Sequence, residues 1–170
     1  MKKLNAITVK IGYPDKWRDY SLLNVDPALS YYENMENAGE WALDRYLEKW
    51  GKPVDRSEWA MTPQTVNAYY SPINNEIVFP AGILQAPFYD PASSDAENYG
   101  GIGVVIGHEL THGFDDQGRN FDEEGNMRNW WTEEDAEKFK NLTNGLVAQF
   151  NEIEVLPGIH ANGTYTLGEN

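Results

Sequence analysis

The sequence predicts an α+β fold in which helices dominate, and two kinds of pattern support this prediction. Apolar residues recur at helical spacing over residues 29–50 and 139–150, as in amphipathic helices. Two short extended runs, residues 65–70 and 75–80, flank a Ser71-Pro-Ile-Asn74 turn and indicate a hairpin or a broken edge strand. The 170 residues suit one domain with a core of its own.

The elements of the amino-terminal part follow from their end signals. Residues 4–13 should form an extended segment. Asp26 is expected to cap a helix that Gly51 ends and that Pro53 prevents from continuing. The apolar stripe of this helix, which we expect to pack in the core, comprises Leu29, Tyr32, Met35, Leu43, Tyr46, Leu47 and Trp50.

In the second half of the chain, one helix is predicted from about Glu97 to Phe114, and its apolar stretch at 102–106 predicts deep burial. A loop rich in Gly and Asn spans residues 115–131. Thr132 should cap a further helix whose acidic first turn suits the helix dipole. Its predicted buried stripe comprises Phe139, Leu142, Leu146 and Phe150.

Composition excludes several classes of function. A net charge of −14 provides no electrostatic attraction to nucleic-acid phosphates, so no nucleic-acid partner is expected. The absence of cysteine excludes disulfides and thiolate metal sites, so His, Asp and Glu must hold any metal. No apolar run approaches the length of a transmembrane helix, and we expect the chain as given to be soluble.

The strongest chemical signal is the segment His108-Glu109-Leu110-Thr111-His112. Two His four residues apart lie about 40° from each other on one helix face, so their imidazoles can converge on one metal ion. Glu109 cannot join them as a ligand but can reach a water beside the metal. Only three His occur in the chain, and two are in this motif. The pattern predicts a site for one zinc ion with Glu109 as general base.

A catalytic zinc takes three protein ligands and keeps one position open. Spacing alone offers Glu133 and Glu134, about twenty residues after the second His, or Glu169 much further along the chain. Sequence spacing does not show which of these three residues would be the third ligand.

Longer stretches of the sequence resemble the neprilysin and endothelin-converting-enzyme family of zinc metallopeptidases. The resemblance covers most of the chain in the right order: 7–14, 66–70, 77–85, 99–116, 118–121, 129–132 and 166–170. It implies a thermolysin-like zincin subdomain in which the Glu of a Gly-Glu-Asn segment, here Glu169, is the third zinc ligand. It also implies an endopeptidase that cleaves short peptides.

The same resemblance implies how a peptide would bind. Asn67 and Ala68 match a pair that holds the substrate backbone on an edge strand. An apolar pocket for the residue after the scissile bond is matched in part by Ile83, Phe88, Val104 and Val105.

The family pattern extends beyond this chain. It continues with an Asp that orients a zinc-bound His, a His that donates to the oxyanion, an Arg that positions the substrate, and a separate amino-terminal helical domain. Residues 1–170 are therefore expected to be part of a catalytic domain whose parent is extracytoplasmic or membrane-anchored. Asp115 and Asp116 follow the second His closely, and one of them could orient a ligand His; we interpret them as loop acids outside the site. Two alternatives stay open: a zinc-binding piece without activity, and an interaction module without metal.

Overall fold

A computed structural model describes residues 1–169, which form two compact units, one of residues 14–60 and one of residues 1–13 with the chain from 61 onward. The helices and strands confirm the predicted mixture of helices with a small sheet. In chain order they are α1 (Lys2–Asn5), β1 (Thr8–Gly12), α2 (Tyr31–Leu47), β2 (Tyr69–Ser71), β3 (Glu76–Pro80), α3 (Asp95–Gly100), α4 (Ile102–His112), α5 (Glu133–Asn151), β4 (Glu154–Leu156) and β5 (Ile159–His160). No helix among residues 1–169 is long and apolar enough to span a membrane.

The larger unit is built on a three-stranded sheet with the order β1-β3-β2. Strand β1 runs parallel to β3, and β2 forms with β3 the predicted antiparallel hairpin. All five residues of β3 are buried, as expected for a central strand. The core around it contains Ala68, Ile77, Phe79, Ile83 and Ile102. This arrangement leaves β2 at a sheet edge, directly after residues 67 and 68.

Two predictions for the amino-terminal part are wrong. Residues 2–5 are helical, and only Thr8–Gly12 is extended. Ser30, not Asp26, caps α2, because its hydroxyl accepts from the Glu33 N–H at 3.2 Å while the Glu33 carboxylate accepts from the Ser30 N–H at 2.8 Å. This reciprocal capping box satisfies two donors, whereas Asp26 caps only a local turn through the Ala28 N–H.

The apolar stripe of α2 is exposed, not packed in a core. Tyr46 is 71% exposed and Trp50 is 86% exposed. Helix α2 is the only helix or strand within residues 14–60, so this unit has no second regular element to cover that face. Periodicity predicted a helix here but not the exposure of its apolar residues, and the helix ends at Leu47, not at Gly51.

The long helix predicted around the two His is divided at Gly101. The Gly101 backbone leaves the helical region (φ −91°, ψ −99°), and a Cβ there would lie 2.4 Å from the Phe88 carbonyl oxygen. The Ile102 N–H donates to that same oxygen at 2.6 Å, so the chain is tied down where α3 ends and α4 begins.

The predicted burial of the later helices also needs correction. Within α4 only Ile102 and Glu109 are buried, and Val104 is 63% exposed. The α5 stripe is half-buried at Phe139 and Phe150, while Leu142 and Leu146 are exposed. The cap and acidic first turn of α5 are as predicted.

Candidate metal centre

The last turns of α4 bring His108 and His112 together on one face, as their spacing predicts. Their Nε2 atoms face each other at 2.9 Å. The lone pairs of two unprotonated imidazole nitrogens repel each other at this distance unless a proton or a cation lies between them. The pair therefore favours binding of a cation.

Glu169 supplies the nearest carboxylate. Its Oε2 lies 3.4 Å from the His108 Nε2 and 3.9 Å from the His112 Nε2. It belongs to a short 3-10 turn, Leu167–Glu169, and the next residue, Asn170, lies outside the described part of the chain. Of the three candidate carboxylates, the structure brings Glu169 to the two His.

The other two candidates stay in the first turn of α5. Glu134 pairs with Lys138 one helical turn on, at 2.6 Å. Across residues 1–169, the one group of three or more His, Asp or Glu that could hold a metal ion is His108, His112 and Glu169.

The three donors fit zinc. A tetrahedral zinc with ligands at about 2.0–2.1 Å separates neighbouring ligand atoms by about 3.3 Å, and the three separations here are 2.9, 3.4 and 3.9 Å. Two imidazoles and one carboxylate are a donor set typical of catalytic zinc sites. These residues would hold the ion, and their ligand roles remain a prediction.

Asp115 contacts His112 directly, in the orienting role that the sequence analysis considered but did not assign to it. Its Oδ2 lies 2.8 Å from the His112 Nδ1, and its Oδ1 accepts from the N–H groups of Gln117 and Gly118 at 2.9 and 2.6 Å. A carboxylate beside Nδ1 keeps the proton there and leaves the Nε2 lone pair free for a metal. The three-residue spacing from His112 was the available signal for this contact.

Glu109, also on α4, lines the same region, but it is buried, with only 5% of its surface exposed. Burial raises the pKa of Glu109 above its usual value, and the nearby His112 and His108 offset part of this rise. A higher pKa makes the carboxylate a stronger base near neutral pH.

These groups line an open cleft of about 390 Å³ between α4, the loop that follows it and the β2 edge. Asn67 and Ala68 are on its wall, together with Tyr70. Ala68 is buried, and Asn67 is exposed with its side-chain oxygen accepting from the Ala68 N–H at 2.9 Å.

The four apolar residues expected in a substrate pocket do not line this cleft. Ile83 is in the core cluster, and Phe88 and Val105 pack against that cluster. Val104 lies exposed on α4. Their role in binding remains a prediction.

Comparison with known proteins identifies the family of this chain. Residues 67–170 match the model of peptidase family M13. The chain is 49% identical to rat endothelin-converting enzyme 1 and 47% identical to a neutral endopeptidase of Lactobacillus helveticus, in each case over 99% of its length. It spans about a quarter of these relatives, 23% and 26% of their respective lengths.

A solved structure of the zinc metalloprotease Zmp1 of Mycobacterium tuberculosis in complex with an inhibitor is similar over 99% of this chain, with a TM-score of 0.93 and 52% identity. That match covers 26% of the Zmp1 chain. The family match covers more than half of the sequence and includes every residue of the candidate metal centre. The chain therefore belongs to peptidase family M13.

Proposed function

We propose that this chain carries the catalytic zinc site of an endopeptidase that hydrolyses peptide bonds of short peptides. The single observation that supports this most strongly is the convergence of His108, His112 and Glu169 with Glu109 buried beside them. Family membership supports the same reaction class.

In this proposal Glu109 is the general base and then the general acid. His108, His112 and Glu169 would hold the zinc, which would supply Lewis-acid polarisation of the peptide carbonyl and lower the pKa of water. Glu109 takes a proton from the attacking water, whose oxygen bonds to the carbonyl carbon. The C–N bond then breaks, and Glu109 delivers the proton to the leaving amine. Asp115 holds the His112 ring throughout in the tautomer that can bind metal.

The edge strand β2 and the two residues before it are proposed to hold the peptide. A sheet edge presents unpaired N–H and C=O groups to which an extended peptide can add as a further strand. Asn67 and Ala68 lie on the cleft wall at this edge. We further propose that Ile83, Phe88, Val104 and Val105 favour an apolar residue after the scissile bond.

The metal assignment is tested by measuring zinc in the purified 170-residue chain by elemental mass spectrometry. We expect near-stoichiometric zinc in the wild type and a sharp fall in Glu169→Ala. Glu133→Ala is the matched control, since it removes one of the rejected candidate ligands, and it should keep its zinc. Zinc that falls in the control and not in Glu169→Ala would move the third ligand to α5.

The catalytic role is tested with a short internally quenched peptide. Glu109→Gln should abolish hydrolysis while zinc stays bound, because Gln is nearly isosteric but cannot accept the proton. Loss of zinc from this variant would contradict the assigned role. Zinc binding with no hydrolysis by the wild-type chain would leave it a zinc-binding piece without activity of its own.

A further inference from the structure

Lys3 is a cation buried where the proposed mechanism does not use it. Its side chain is only 3% exposed. The ammonium lies 5.6–5.9 Å from the ring centroids of Tyr70, Phe114 and Trp130, close enough for cation–π attraction to each. Burial lowers the pKa of Lys3, and the carboxylates of Asp115 and Asp122 oppose that change. A buried ammonium costs several kcal/mol unless good partners compensate it.

Both hydrogen bonds of its ammonium go to the loop that follows α4. The Lys3 Nζ donates to the carbonyl oxygens of Gly118 and Phe121 at 2.7 and 2.8 Å. These bonds span 115 and 118 residues of sequence, so they tie the first helix of the chain to the loop beside the metal centre.

Gly118 links Lys3 to a zinc ligand. Its C=O accepts from Lys3, and its N–H donates to the Asp115 carboxylate, which holds the His112 ring. The loop is also packed on the helix end, since a Cβ at Gly118 would lie 1.7 Å from the His112 carbonyl oxygen. A shift of the Gly118 peptide would therefore move the carboxylate that fixes the His112 tautomer.

Lys3 also connects to the opposite wall of the cleft. Its own carbonyl oxygen accepts from the Asn75 side-chain amide at 3.1 Å, and the Asn75 amide oxygen accepts from the Tyr70 hydroxyl at 2.8 Å. Tyr70 lines the same cleft as Glu109. Lys3 thus contacts both the loop that holds His112 and, through Asn75, the edge strand on the other side of the cleft.

From these contacts we infer that Lys3 is a positioning residue for the metal centre, which orients His112 through Gly118 and Asp115. This inference rests on the proposed zinc site. It differs from a purely structural role because it predicts an effect on metal affinity that general destabilisation would not produce.

Three Lys→Met variants separate these roles. Lys3→Met removes the ammonium and keeps most of the length of the side chain. Lys2→Met makes the same charge change on the same helix at an exposed position. Lys10→Met breaks an ion pair with the buried Glu76, at 2.7 Å in the sheet, so it lowers stability and leaves the Lys3 ammonium in place.

Zinc affinity is measured by competition with a chromophoric chelator, at a temperature where all variants are folded. We expect Lys3→Met to weaken zinc binding about 10-fold or more, as loss of outer-shell support does elsewhere, and to shift the visible spectrum of the Co²⁺-substituted chain. Lys10→Met should lower the melting temperature but bind zinc as the wild type does, and Lys2→Met should change neither. If Lys3→Met does not fold, Lys3→Gln, which keeps N–H donors without the charge, serves in the same comparison.

Hydrogen exchange in the metal-free chain gives a second readout that does not depend on zinc. Amides of residues 115–121 should exchange faster in Lys3→Met and at the wild-type rate in Lys10→Met. Zinc affinity within twofold of the wild type together with unchanged exchange would overturn the inference. A wild-type chain that fails to bind zinc would refute the proposed function instead. The hydrogen-exchange rates of residues 115–121 in Lys3→Met would then decide whether Lys3 orders the loop.

Discussion

Replacing Asp115 with Asn alters the support of His112 while leaving its shape almost intact. The Asn side-chain oxygen can still accept from the N–H groups of Gln117 and Gly118, as Asp115 Oδ1 does at 2.9 and 2.6 Å. The NH₂ group then stands where Oδ2 faces the His112 Nδ1 at 2.8 Å. An NH₂ donor there requires an unprotonated Nδ1, so the proton moves to Nε2, the nitrogen that should bind zinc.

The magnitude follows from this tautomer change. Outer-shell partners of metal-binding His are typically worth about 10–100-fold in metal affinity, or about 1.4–2.7 kcal/mol. We expect Asp115→Asn to lose affinity in this range and to do so as severely as Asp115→Ala. The two variants should differ in stability, because only Asp115→Ala gives up the two backbone hydrogen bonds.

The assay is zinc titration by chelator competition, with thermal unfolding of the metal-free chain alongside. Asp116→Asn is the control, since it removes the same charge one residue away and leaves the His112 contact intact. A Kd for Asp115→Asn within twofold of the wild type would refute the tautomer argument. Equal losses in Asp115→Asn and Asp116→Asn would attribute the effect to net charge alone.

The remaining predictions concern two glycines and one tyrosine. Gly118→Ala should abolish zinc binding, because its Cβ would lie 1.7 Å from the His112 carbonyl oxygen, whereas Gly107→Ala meets no atom within 4 Å and should stabilise α4 by about 1 kcal/mol in thermal unfolding. Tyr70→Phe should cost about 1 kcal/mol at pH 7 through its lost bond to Asn75. Burial raises the pKa of Tyr70 to about 12, so the native state keeps a proton that the unfolded chain loses above pH 10, and native stability falls there. Urea unfolding should therefore show that the difference in unfolding free energy between the wild type and Tyr70→Phe shrinks between pH 10 and 12. A difference that stays constant over this range would contradict the argument.

Much of the local structure could be predicted from short-range signals. The hairpin of β2 and β3, the Thr132 cap of α5 and the convergence of His108 and His112 each depend on residues a few positions apart. Turn residues, unpaired N–H groups at helix ends and helix geometry determine such features, so they can be predicted without the rest of the chain.

The errors arise where distant parts of the chain decide the outcome. The helix breaks at Gly101 where the Ile102 N–H donates to the Phe88 carbonyl, thirteen positions before Gly101, and that close approach leaves room only for Gly. The exposed stripe of α2 shows that an apolar pattern in the sequence does not tell which part of the protein, if any, packs against that helix face. Asp115 was interpreted as a loop acid, and its contact with His112 becomes visible only in the structure, where α4 ends beside it.

The position of Glu169 shows how these distant effects converge on one loop. A Cβ at Gly168 would lie 3.3 Å from Asp115 Oδ2, so the segment that carries Glu169 rests against the carboxylate that holds His112. The same carboxylate binds the Gly118 N–H, and Gly118 binds Lys3. Order in residues 115–118 is thus a condition for two of the three proposed ligands at once. Metal binding and folding of this loop should be thermodynamically linked, since an ion that binds only the ordered loop stabilises it. Zinc should accordingly slow hydrogen exchange at Gln117 and Gly118 in the wild type and have little effect there in Asp115→Ala, while equal slowing in both would show that the ligands assemble without the loop.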